Sequence, residues 1–170
     1  MSKPTENSYP HFFKKYVDLV EANDFIEIQR TYFNYIVSFI DNLPAEKADF
    51  AYSIGKWTLK DLVQHLTDTD RVFTYRALRI ARNDQTNLPS FDEKLFADNT
   101  FLKNRSFKSV TLEFKSQLIA SLNLYLNLSE EQFNFSGFVN NNRITVNAIM
   151  FASYGHILHH IQIIKERYLP

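Results

Sequence analysis

Three of the chain's five histidines fall within six residues, in the stretch GHILHH from Gly155 to His160. His156 and His160 are four apart, which on a helix stacks two imidazoles on one face about a turn from each other. That spacing suits one divalent metal ion, as in the HExxH pattern, although no Glu follows the first His here. The face they share is informative. At roughly 100° per residue, Ile149, Ala152, Ser153, Ile163 and Arg167 lie within about 60° of His156. This is the mostly apolar, inward side, where two unpartnered imidazoles would be costly to desolvate. Ala152 and Ser153, both small, leave space beside them. His159 points to the flank, a rim position.

A third imidazole is available at His65, which shares a helical face with Asp61, Thr69, Val72 and Arg76 at the edge of an apolar stripe. A cleft between helices would open there. The competing reading is a half-exposed histidine bonded to Asp61 one turn back. His11 reads as a surface residue. Three neutral imidazoles with no fourth protein ligand describe an open coordination sphere, the kind used in catalysis. Zinc suits imidazole best, and nickel, cobalt or iron would also be held. The chain has no cysteine, so histidine and carboxylate must supply any ligands. No residue stands out as a general base. Asp70 projects away from the face of His65 and Asp68 flanks it, and the two read as a solvated charge pair near Arg71. Trp57 reads as a core anchor, while Tyr75 and Arg76 either line the cleft or serve the fold.

These side chains need long helices to position them. Only three glycines and five prolines interrupt the chain, which favours helices over turns. Asp24 with Glu27 forms a capping-box pattern, and Phe25, Ile28, Tyr32, Tyr35, Ile36, Phe39 and Leu43 then recur as one stripe ended by Pro44. The preceding HFFKKYVDLVEAN predicts a short outer helix. Thr58 with Asp61 caps a second long helix running to about Asn83, with Leu59, Leu62, Val63, Leu66, Phe73, Ala77 and Ile80 inward. A long loop, DQTNLPSFDEKLFADNTFLKNRS, follows and could cover the site as a lid. A third helix starts near Ser109 and carries Phe114, Leu118, Leu122, Tyr125 and Leu126. After a turn at SEEQF and a polar NNN stretch, a fourth runs from about Thr145 to Tyr168. No strand is predicted, since Ser136 to Ile144 does not alternate. The reading is all-α, a four-helix bundle, with residues 1–170 as one domain.

Composition narrows the function classes. Nineteen basic and nineteen acidic residues balance, so the basic footprint of a nucleic-acid binder or an anionic-membrane binder is absent. No apolar leader or membrane-length run is present, and the expectation is a cytoplasmic protein acting on a small molecule.

The run GKWTLKDLVQHLTDTDRVFTYRALRIARND, the downstream PSFDEKLFAD and the ending GHILHHIQIIKERY together resemble the DinB-like (DinB/YfiT) superfamily. The similarity extends from KYVDLV near residue 15 to Tyr168. It implies a bundle of up-down-down-up type and a divalent metal bound by three histidines, matched here by His65, His156 and His160. Relatives of this kind include thiol-dependent S-transferases, an isomerase using low-molecular-weight thiols and proteins labelled metal-dependent hydrolases, often homodimers. Gly155 also matches the motif and would let a neighbouring helix approach closely. The expected function is metal-dependent activation of water or of an exogenous low-molecular-weight thiol. A non-catalytic metal- or ligand-binding bundle is the alternative.

Overall fold

Each long helix begins at a side-chain cap. Asp24 accepts from the Glu27 N–H, Thr58 and Asp61 form a reciprocal capping box, Ser106 accepts from Ser109 and Thr145 from Ala148. These bonds satisfy backbone donors that a helix start leaves open. A computed structural model describes residues 2–169. Helix α1 (Lys14–Leu19) comes first. The segments Phe25–Ile28, Gln29–Phe33 and Asn34–Asp41 run on as one helix, α2. Next come α3 (Leu59–Ala81), strand β1 (Asn87–Leu88), the short α4 (Glu93–Asp98), α5 (Phe107–Leu126) and α6 (Glu130–Asn134). Strands β2 (Ser136–Val139) and β3 (Asn142–Thr145) lead into α7 (Val146–Ile163), which a wider turn over Ile164–Tyr168 continues.

Helices α2, α3, α5 and α7 form a four-helix bundle in which α3 packs against both α5 and α7. The predicted inward stripe of α3 is buried throughout, from Leu59 to Ile80. In α2 the stripe is only partly as expected: Phe25, Ile28, Ile36 and Leu43 are buried, but Tyr35 is exposed and Ile40 takes a core place. The cause is the π-helical turn over Gln29–Phe33. One extra residue per turn rotates everything downstream, so a constant 3.6-residue phase fails there. Among the described residues no helix is long and apolar enough to cross a membrane.

Two expectations need correction. Residues 136–145 are not strand-free: β2 pairs antiparallel with β3, Gly137 opposite Ile144, and β1 adds to β2 in parallel. The hairpin turns on Asn140 and Asn141, with φ of 48° and 61°. A two-residue loop with both central residues left-handed has the twist that antiparallel strands need, and Asn tolerates it. The stretch preceding α2 is also more than an outer helix, since α1 packs along α7 with Phe13 and Val17 buried.

Candidate metal centre

Helices α3 and α7 lie side by side, and their buried faces bring together His65, His156 and His160. The Nε2 atoms of His65 and His160 each stand 3.1 Å from Nε2 of His156, and ligand atoms of all three lie within 4.8 Å of one another. His65 and His156 are 6% and 5% exposed. Hydrogen bonding cannot satisfy this group. A ring nitrogen offers one in-plane position, either a proton or a lone pair, so Nε2 of His156 serves only one of its two neighbours. Nδ1 of His160 is buried with no hydrogen-bond partner. Ligands at about 2.05 Å in tetrahedral array are separated by about 3.3 Å, close to the spacing here. The donor set therefore fits a divalent ion better than it fits any arrangement of protons.

Electrostatics agree. Burial lowers the His65 pKa to about 4. Burial, helped by His65, His159 and Lys15, lowers that of His160 to about 3. His156 lies well below the ordinary value, through burial and then its histidine neighbours and Lys15. Desolvation disfavours the imidazolium, so all three rings present lone pairs at neutral pH. Thr69 Oγ1 lies 3.5 Å from Nδ1 of His65, and the Trp57 ring lies 4.7 Å from the His65 ring. Trp57 is thus a half-buried cover over the cluster as well as a packing residue.

Gly155 explains how α1 reaches the site. A Cβ at this position would sit 1.9 Å from the Tyr16 carbonyl oxygen, so only glycine lets the two backbones approach so closely. Tyr16 then meets His156 edge-on at 5.3 Å and His159 at 5.6 Å. His159 is half-buried on the flank and stands outside the converging group.

The other candidate residues separate cleanly. Asp61 is engaged in the Thr58 cap and not with His65. Asp68 bonds Gln64 and reaches Arg71 at 3.5 Å, as a charge pair near Arg71 requires. Asp70 is not solvated: it is 3% exposed and accepts from Ser153 at 2.6 Å, from Gln117 at 3.0 Å and from Ser121. It does project away from His65, but α5 packs on that side. Tyr75 faces solvent and bonds Arg79, whereas Arg76 is buried at the cleft.

A cavity of about 340 Å³ opens beside His156, walled by Phe13, Tyr16, Thr69, Phe73 and Arg76. Further lining comes from parts of the chain where the sequence suggests no site residue: Phe91 and Glu93 of the 84–106 segment, and Val139 and Asn140 of the hairpin. That segment does cover the site, with α4 packed on α3 and only about 10 Å³ left free between it and His65. The Asn-Asn turn is the one available signal for the hairpin wall.

Comparison with known proteins gives a consistent picture. Residues 28–164 match the family model described as DinB superfamily. A protein of Oceanobacillus iheyensis, named "Putative metal-dependent hydrolase", is 28% identical over 155 residues, spanning 88% of this chain and 86% of its own length. Among solved structures, YfiT from Bacillus subtilis is described as "a probable metal-dependent hydrolase with an unusual four-helix bundle topology". It matches with a TM-score of 0.68 at 18% identity, over 96% of this chain and 90% of its own, a likeness of fold.

Proposed function

The chain belongs to the DinB superfamily, and from that premise we propose that it is a metal-dependent enzyme whose single divalent ion is held by His65, His156 and His160. The observation that carries this reading is the convergence of three Nε2 atoms, those of buried His65 and His156 and half-buried His160, that hydrogen bonds cannot satisfy. Zinc is the first choice, with nickel, cobalt and iron as alternatives. An ion bound there supplies Lewis-acid activation of a water or thiol nucleophile near neutral pH.

The chain's own residues do the rest. With Nε2 of His65 turned to the ion, its Nδ1 would carry the proton and face Thr69 Oγ1, 3.5 Å away, as acceptor. Trp57 and Tyr16 pack against the rings and keep bulk water from the cluster. The cavity beside His156 has the size of a small-molecule site. Glu93 is the one carboxylate among its lining residues, placed to take a proton from the nucleophile or return it to a leaving group. The names of the relatives favour hydrolysis. Transfer of a low-molecular-weight thiol uses the same open site, and with no cysteine in the chain that thiol must come from outside.

Elemental analysis of protein purified without a histidine tag tests the centre. About one divalent ion per chain is expected, lost in His65→Ala, His156→Ala and His160→Ala and kept in His159→Ala. Protein free of metal after metal-replete growth would end this reading. Hydrolysis or thiol transfer that persists undiminished in the histidine variants would leave the metal without a catalytic role.

A further inference from the structure

The cavity wall carries a cation that the fold does not neutralise. Two cationic side chains are buried, Lys60 at 8% exposure and Arg76 at 6%. Lys60 pairs with Asp49 at 2.8 Å. Arg76 has no carboxylate within ion-pair distance among the described residues. Of the less buried arginines, Arg71, Arg79 and Arg105 have acids within reach. The most deeply buried cation therefore lacks a counter-charge. Removing a guanidinium from water without a partner is costly, and a fold under no other demand would not keep it.

Its surroundings indicate what it is kept for. Nη2 of Arg76 donates to the Pro89 carbonyl at 2.6 Å, and the guanidinium lies 5.6 Å from the Phe91 ring centre. These contacts hold the group in place and use only one of five donors. Arg76 follows His65 by eleven residues on α3, which returns it to nearly the same helical face about three turns on. Helical side chains lean toward the N-terminus, so Arg76 leans back toward Thr69 and the histidines. It lines the same cavity as Thr69, Phe73 and His156. A planar fork of donors lining a cavity with several aromatic walls matches a carboxylate bound in bidentate fashion.

We propose that Arg76 anchors a carboxylate of the substrate, so that the molecule processed at the histidine cluster is a small carboxylic acid. Its apolar body lies against Phe13 and Phe73, with the reacting group at the His156 end. The word substrate rests on the enzymatic reading above, but carboxylate binding by Arg76 does not. Lys15, which also lines the cavity, adds to the positive field.

The test is a panel of aliphatic and phenyl-substituted carboxylic acids, from propionate to 4-phenylbutyrate, each measured beside its own amide and beside inorganic phosphate. Binding is read by calorimetry on the full chain, both chelator-treated and zinc-loaded. At least one acid is expected to bind about ten-fold or more tightly than its amide in both forms. That preference should vanish in Arg76→Gln, be partly kept in Arg76→Lys and persist in Lys15→Gln. A wild-type protein that prefers no acid over its amide overturns the proposal without recourse to a variant. So does an unchanged preference in folded Arg76→Gln, or phosphate binding as well as the best acid. Preference in a chain that holds no metal would uphold Arg76 while the metal reading fails, and metal without preference would do the reverse.

Discussion

His65 and Asp70 sit five residues apart on the same helix, both nearly inaccessible to water, and the fold treats them in opposite ways. Asp70 is closed off by the protein itself. Ser153 on α7 and Ser121 and Gln117 on α5 donate to its carboxylate. His65 meets two more ring nitrogens that cannot complete its bonding, and the cluster ends in a buried Nδ1 without a partner. One polar group ties three helices together; the other joins ring nitrogens that the chain's own hydrogen bonds leave incompletely paired. Burial of a polar residue is thus no guide to its role. The balance of donors against acceptors is the guide.

That contrast can be broken most forcefully by deletion. Asp70→Ala leaves Ser153 Oγ without its acceptor, weakens the bonding of Ser121 and Gln117 and opens a cavity. A cost of about 3 kcal/mol in unfolding free energy is expected, with metal content unchanged. His156→Leu, compared in metal-free protein, replaces an unsatisfied polar ring with an apolar group of similar size. It should change stability by less than about 1 kcal/mol, or raise it, while abolishing metal binding. Denaturant titrations in chelator check both. A large loss in metal-free His156→Leu would mean that the cluster is held by hydrogen bonds after all.

A smaller effect probes what holds the histidine side in shape. In Gly155→Ala the helix gains about 1 kcal/mol of intrinsic propensity. Against that, the new Cβ meets the Tyr16 carbonyl at 1.9 Å, backbone against backbone, where no side chain can swing aside. The clash wins, and a net loss of about 1–2 kcal/mol is expected. Because α1 must retreat and take Tyr16 from His156, metal affinity should also fall by about ten-fold. Thermal melts and competition with a chromophoric chelator measure the two losses. Unaltered affinity with lowered stability would separate α1 from the site.

Much of this is readable from the residues. Caps at Asp24, Thr58 and Thr145 announce helix starts because the chemistry is local, and the stripe of α3 follows from one period. The His156 and His160 pair is legible for the same reason, and the third ring comes from the face of His65 together with the family resemblance. The rest depends on partners distant in sequence. Asp70 reads as solvated because Ser121, Gln117 and Ser153 lie on other helices. Arg76 cannot be assigned until the 84–106 segment lays Pro89 and Phe91 against it. The hairpin is hidden because residues 136–144 do not alternate, and its turn signal, Asn-Asn, resembles generic polarity. In α2 a single wide turn is enough to misplace Tyr35.

The finest distinction between the two regions is their response to acid. Burial raises the pKa of Asp70 above its ordinary value, and the donors from Ser121, Ser153 and Gln117 offset this only in part. In the unfolded chain the carboxyl titrates near 3.9. Between that pH and its higher native pKa the folded protein holds more protons than the unfolded one, so this group's contribution to stability falls as pH rises through the window and then levels off. The histidines of metal-free protein act with the opposite sign. Their lowered pKa values leave the unfolded chain with more protons below about 6.5, so they cost stability as pH falls. Asp70→Asn isolates the carboxylate. The stability difference between wild type and Asp70→Asn, measured by urea unfolding from acid to neutral pH, should shift toward wild type on acidification. A difference that stays constant with pH would mean that the three donors fully offset burial, and that Asp70 is as well solvated by the protein as it would be by water.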